Sequence, residues 1–214
     1  MADRLKIAVM VSGRGSNMEA LINASIKEPS PGYEVACVLS DNPCAPALDI
    51  ARAHRVEALF VEPGDQYRTR LTEEAEERYA ALLEERGIDY IMLAGFMRLL
   101  KGALLREFKG RIINIHPSLL PGFPGLDVHQ RVIEAGEMQS GCTIHFVDAG
   151  MDTGPIIARA VVPVEQGDSP EDLAHRVLAQ EHKLYPHVAS LLAQGAIRMG
   201  QDPVVWTDKG LEQR

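Results

Sequence analysis

Cysteine is scarce in this 214-residue sequence: Cys37, Cys44 and Cys142 are an odd number at irregular spacing. That excludes a disulfide framework and offers no zinc-ligand pattern. Cys142, in a segment of strand character, reads as a core thiol, the usual fate of a free cysteine. Basic charge is also short. Lys and Arg number 22 against 30 Asp and Glu, a formal net charge of -8, which argues against the basic footprint of a nucleic-acid binder. An acidic chain can still hold a small anion, because a helix N-terminus or a single cation suffices. No run approaches the ~20 apolar residues that span a bilayer. The opening MADRLKIAVMVSGRG carries a short apolar run that breaks at glycine, without the h-region or cleavage site of a signal peptide. The expectation is a cytoplasmic protein with small-molecule partners, no nucleic acid and no membrane, as a monomer or homodimer. There is no internal repeat and no low-complexity tract, so residues 1–214 are expected to form a single domain.

What is present is an alternation. Leu5 to Ser12 (LKIAVMVS) is a continuous apolar, β-rich run of the kind covered on both faces. A helix is expected over Met18 to Lys27, a strand over Tyr33 to Leu39, a helix within Pro43 to Arg55 and a short strand at Ala58 to Val61. Thr69 to Arg86 reads as one long helix with acids early and bases late, as the helix dipole favours. Strands follow at Asp89 to Ala94 and Arg111 to Ile115, with a short helix at Ala103 to Phe108 between them. This order is that of an α/β fold with a doubly wound, mostly parallel sheet. Then the grammar changes. His116 to Gly125 is a Pro- and Gly-rich loop, Asp127 to Ala135 is helical, and Thr143 to Val147 and Ile156 to Val164 flank a Gly-rich turn, which suggests an antiparallel extension at one edge. Ser169-Pro170-Glu171-Asp172 starts a final helix toward Gln194, and the tail from Met199 is a strand or a held end.

In open parallel sheets ligands bind beyond the carboxyl ends of the strands, and three unusual segments fall at such ends. Ser12-Gly13-Arg14-Gly15-Ser16-Asn17 joins strand to helix; glycines allow close backbone approach and the helix start offers free N–H groups, a phosphate site. It lacks the Gly-Lys pair of a Walker loop and the third glycine of the dinucleotide fingerprint, and a bare tight turn is the plainer alternative. Leu93 to Leu100 (LAGFMRLL) is an apolar rim that suits a flat heterocycle or, more plainly, the core. In Asn114-Ile115-His116-Pro117-Ser118-Leu119-Leu120-Pro121 the amide and imidazole share one face of a strand end and can together polarise a carbonyl and handle its proton. A fourth segment, Asp148-Ala149-Gly150-Met151-Asp152-Thr153-Gly154-Pro155, is a turn that can fold over the same rim and bring Asp152 to His116. A carboxylate beside an imidazole orients its ring. His145 is a support residue toward that rim, whereas His54, His129, His175 and His187 carry no spacing signal.

The stretch Asn114 to Pro121, followed by Phe123-Pro124-Gly125 and by Asp152 with Gly154-Pro155, resembles the signature of the folate-dependent formyltransferases, over Leu5 to about Pro186. Ser12 to Asn17 and Ala94-Gly95-Phe96-Met97-Arg98 resemble its glycinamide ribonucleotide branch. The resemblance implies transfer of a formyl group from 10-formyltetrahydrofolate, as co-substrate and without a metal, to the glycine amine of glycinamide ribonucleotide in purine synthesis. It implies that Asn114 and His116 stabilise the oxyanion, that His116 moves a proton, and that Asp152 keeps His116 charged and oriented. Gly15, Ser16 and Asn17 would hold the acceptor phosphate and Glu181 its ribose. Met97, Arg98, Leu99 and Leu100, with Asp148, Ala149, Gly150, Met151 and Asp152, would hold the pterin, and Arg70, or its neighbour Arg68, the rest of the folate. Residues 1–110 would then be the phosphate-binding half and 111–214 the catalytic and folate-binding half. Gly122 replaces an expected base and Leu178 an expected polar residue, and Tyr67 to Gly87 is longer than in relatives. A formyltetrahydrofolate hydrolase shares this core, but is expected to carry a regulatory domain ahead of it. A tRNA-modifying relative is expected to carry an extension, and a metal-dependent hydrolase using His116, His145 and Asp152 lacks an HExxH-type spacing. A non-enzymatic nucleotide-binding module would need the glycines but not Asn114, His116 and Asp152 together.

Overall fold

A computed structural model describes residues 4–27, 31–64, 69–199, 204–207 and 210–213. Within them the elements run β1 (Leu5–Val11), α1 (Ser16–Ser25), β2 (Tyr33–Ser40), α2 (Pro46–Ala53), β3 (Glu57–Phe60), α3 (Glu73–Glu85), β4 (Tyr90–Leu93), α4 (Ala103–Glu107), β5 (Ile112–His116), α5 (Val128–Glu134), β6 (Gln139–Phe146), β7 (Ile156–Pro163), α6 (Pro170–Ala193), β8 (Val204–Thr207) and β9 (Gly210–Gln213). The strands form one sheet in the order β3-β2-β1-β4-β5-β6-β7-β8-β9. The first five pair in parallel, β5–β6 and β6–β7 are antiparallel, and β8 returns parallel to β7 before the antiparallel β9. The doubly wound sheet with an antiparallel extension is therefore as expected.

The continuous apolar run of β1 is explained by cover on both sides. Ile7, Val9 and Val11 face a core shared with α1, α2, α5 and α6, while Ala8 and Met10 face a second core under α3 and α4. Alternate side chains of a strand point to opposite faces, so neither face tolerates a polar residue. The helix starts obey local chemistry. At α6 the Ser169 hydroxyl accepts from the Asp172 N–H and the Asp172 carboxylate accepts from the Ser169 N–H, with Pro170 in the first turn, a reciprocal cap of orphan donors.

Two expectations need correction. The long helix begins at Glu73, not Thr69: Thr72 accepts from the Ala75 N–H as N-cap, and Thr69–Arg70 instead runs beside Leu99, whose N–H donates to the Thr69 carbonyl at 2.9 Å. β6 begins at Gln139, four residues before Thr143, because β7 is long enough to pair with it from Gln139 to His145. In the tail, expected as a strand or a held end, Val204–Thr207 and Gly210–Gln213 are strands that pair antiparallel. Among the described residues no helix is long and apolar enough to cross a membrane.

Candidate active site

The ends of β1, β4 and β5 open into a cleft of about 1040 Å³, at the upper limit for small-molecule sites and roomy enough for two ligands. Its first wall is the turn from β1 into α1. Gly15 takes a left-handed conformation, φ 82°, at the helix N-cap, and a Cβ there would lie 2.5 Å from the Cβ of Ala47. Only glycine fits. No side chain caps α1, so its first N–H groups, at Ser16 and Asn17, face the cleft with the positive end of the helix dipole behind them. Asn17 is tied across to α6: its Nδ2 donates to Glu181 Oε2 at 2.8 Å, and its buried Oδ1 has no hydrogen-bond partner among the described residues. Glu181 is itself buried, and that burial holds its carboxyl above the ordinary range although the Asn17 bond opposes the shift.

Farther along the rim Asn114, His116, His145 and Asp152 come together. Phe146's carbonyl can only accept, so His145 Nδ1, 2.9 Å away, carries the proton. Burial pushes the His145 pKa down, so its ring is neutral and Nε2 can only accept. Asn114 must therefore turn its Nδ2 to it, at 3.2 Å, which leaves that amide's second N–H on Asp152 Oδ1 at a long 3.4 Å. His116 is 5% exposed; its Nε2 donates to the Phe123 carbonyl at 2.9 Å and its Nδ1 faces Asp152 Oδ2 at 3.4 Å. Asp152 sits at φ 55°, a conformation rare for a residue with a side chain. It is held there by the Gly125 N–H, which donates to its Oδ2 at 2.9 Å. One carboxylate thus joins the loop after β5 to the loop between β6 and β7. The latter closes tightly at Gly154, where a Cβ would fall 1.8 Å from the Phe146 carbonyl oxygen.

The apolar slot is also assembled from separate loops. Met97, Leu99 and Leu100 line it with Val147, Asp148, Gly150 and Met151. Ser12 ties its first wall to the glycine turn by accepting from the Met97 N–H at 2.9 Å. Arg98 lines the cleft, but its Nε donates at 2.5 Å to Asp41 Oδ2 at the end of β2. Arg70 and Ala149 are absent from the lining; Arg70 pairs with Leu99 in an isolated parallel bridge, and Arg68 lies outside the described residues. Asp148 is used locally, accepting from the Gly150 N–H and the Thr153 hydroxyl.

Sequence reasoning missed several residues here. His129 of α5 and His175 of α6 both line the cleft, and only the packing of those helices reveals it. Tyr185 lies one turn beyond Glu181; its hydroxyl reaches the Leu93 and Ile113 carbonyls at 2.9 and 3.1 Å, beneath the ends of β4 and β5. Among the described residues no group of three His, Cys, Asp or Glu side chains is placed to hold a metal ion.

A formyl transferase family model matches residues 5–189. The chain is 38% identical over 209 residues to phosphoribosylglycinamide formyltransferase of Escherichia coli (strain K12), covering 95% of this chain and 94% of that one. It is 42% identical over 197 residues to the trifunctional purine biosynthetic protein adenosine-3 of Drosophila pseudoobscura pseudoobscura, covering 91% of this chain. It spans only 14% of that protein's length and 19% of its Bos taurus counterpart. A crystal structure of glycinamide ribonucleotide transformylase 1 from Symbiobacterium toebii superposes with a TM-score of 0.85 at 40% identity, covering 100% of this chain and 95% of that one.

Proposed function

The chain belongs to the formyl transferase family, and from that premise we propose that it transfers the formyl group of 10-formyltetrahydrofolate to the glycine amine of glycinamide ribonucleotide, in the cytoplasm, as a step of purine synthesis. The observation that carries the reading is the convergence of Asn114, His116 and Asp152 in a cleft that also receives the glycine turn and the apolar slot. The acceptor phosphate sits on the N–H groups of Gly15, Ser16 and Asn17, where helix geometry favours an anion, and Glu181 takes a ribose hydroxyl. The pterin lies in the slot made by Met97, Leu99 and Leu100, with Arg98 contributing backbone, and by the turn from Asp148 through Ala149, Gly150 and Met151 to Asp152.

As the amine attacks the formyl carbon, charge gathers on the formyl oxygen; the adduct then collapses as the bond to folate N10 breaks, and the proton lost by the amine passes to that nitrogen, leaving the N-formyl product and tetrahydrofolate. Asn114 can give that oxygen the N–H it now spends on the long contact to Asp152, while His145 keeps the amide facing the right way. His116 presents an Nε2 proton, here given to the Phe123 carbonyl, and Asp152 keeps the ring in place from the other side. Preorganised donors of this kind act because they need no reorganisation when charge develops.

The test is a spectroscopic assay of folate deformylation, with and without glycinamide ribonucleotide, in chelator. Turnover that requires the acceptor, survives chelator and falls by at least about 100-fold in His116→Ala, the scale of a lost acid–base group, is the expected result. Equal turnover without acceptor identifies a hydrolase, and loss of turnover in chelator identifies a metal enzyme.

A further inference from the structure

Glu76, on α3, belongs to none of the site residues above, yet it is 2% exposed and reaches 25 to 28 positions ahead in sequence. Its Oε1 accepts from the Lys101 N–H at 2.7 Å, and its Oε2 from the Gly102 N–H at 2.7 Å and the Leu104 N–H at 3.2 Å. These partners are all backbone donors. Desolvating a carboxylate is costly unless its lone pairs are filled, and the donors that fill them lead from the slot wall into the buried start of the five-residue α4. The expense is understandable if what must be held is the segment just before it. Leu99 and Leu100 line the slot, and Lys101 follows directly.

The same segment is gripped again upstream. Leu99 N–H donates to the Thr69 carbonyl, Arg98 Nη1 reaches the Arg70 carbonyl at 3.5 Å, and Arg98 Nε is bound by Asp41. Residues 98–104 are thus laced to residues 69–76, and Glu76 closes the lacing at the α4 end. Gly102 lets the carboxylate come close, since a Cβ there would stand 3.1 Å from Oε2. We infer that Glu76 is a positioning residue for the folate slot: by holding the N–H groups of residues 101, 102 and 104 it sets where the Leu99–Leu100 wall stands. This rests on the slot being the donor's, as proposed above.

Two measurements on Glu76→Gln test it. Hydrogen exchange reads the clamp directly, and steady-state kinetics reads its consequence. The amides of Lys101, Gly102 and Leu104 should exchange faster, and the KM for the formyl donor should rise about tenfold, the scale of one lost bond to a charged acceptor. The kcat at saturating donor and the acceptor KM should both stay within about twofold, since neither depends on that wall. Gly102→Ala, which crowds the carboxylate and leaves it charged, should raise donor KM in the same direction by about threefold; it carries the test if Glu76→Gln does not fold. Unchanged exchange overturns the clamp whether or not the protein uses folate. Faster exchange with unchanged donor KM, or a proportionate loss in kcat and both KM values, makes Glu76 a helix cap and no more. Absence of formyl-donor turnover in the wild-type protein would instead overturn the functional reading, leaving the exchange result to decide the clamp.

Discussion

Glu181 shows how one side chain can serve a ligand at the expense of the fold. Its carboxyl is buried, and that burial holds its pKa above the ordinary value. The sign is therefore definite: its contribution to stability is present below its ordinary value of 4.5 and is lost as pH rises through the higher native value. Glu181→Gln keeps an oxygen for Asn17 and removes the charge, so its unfolding temperature should exceed that of the wild type at neutral pH, with the difference closing as pH falls below 4.5. Its KM for the acceptor should rise about tenfold, as a charge-assisted bond to a ribose hydroxyl is weakened. Calorimetry across pH and the acceptor KM check the two halves; a variant less stable at neutral pH would sink the first. Residue types at the site were legible because Asn114 and His116 are two apart in one strand end. The orientation of Asn114's amide was not, since it depends on His145 and the Phe146 carbonyl, which reach it only through β5–β6 pairing.

Elements follow local sequence closely where capping decides them and poorly where a neighbour does. α6 starts where Ser169-Pro170-Glu171-Asp172 places it, because a capping box is a short-range device. α3 starts later than its acid-to-base pattern suggests, because Thr69 and Arg70 are drawn to Leu99, about thirty positions away in the chain. The turn into α1 is a local device with a tertiary demand added: Gly15 must be left-handed and must also pass against Ala47 of α2. Gly15→Ala should cost about 2–3 kcal/mol, strain and overpacking together, and should raise acceptor KM by moving the N–H groups of Ser16 and Asn17. Urea denaturation and kinetics would show it, and a variant as stable as the wild type would mean the close approach to Ala47 is easily relieved.

Across the whole molecule, four histidines, His129, His145, His182 and His187, have pKa values lowered chiefly by burial. Each contributes stability that is full above its ordinary 6.5 and is lost as pH falls through the lower native value. The unfolding temperature should therefore fall as pH is taken from 6.5 toward 5, before most carboxylates titrate; a flat profile over that interval would contradict it. The sequence by itself determined the central parallel strands, because cover on both faces demands unbroken apolar runs such as LKIAVMV, and it determined which loops carry unusual residues, because glycine, proline and strand-end polar groups have local causes. Only the tertiary structure decided which distant residues meet. Glu181 reaches Asn17 and Glu76 reaches Gly102, while the meeting of Asp152 with His116 that the two loops suggested is made at 3.4 Å. Each of these contacts is made between elements whose spacing is set by sheet order and helix packing, neither of which leaves a periodic trace in the chain.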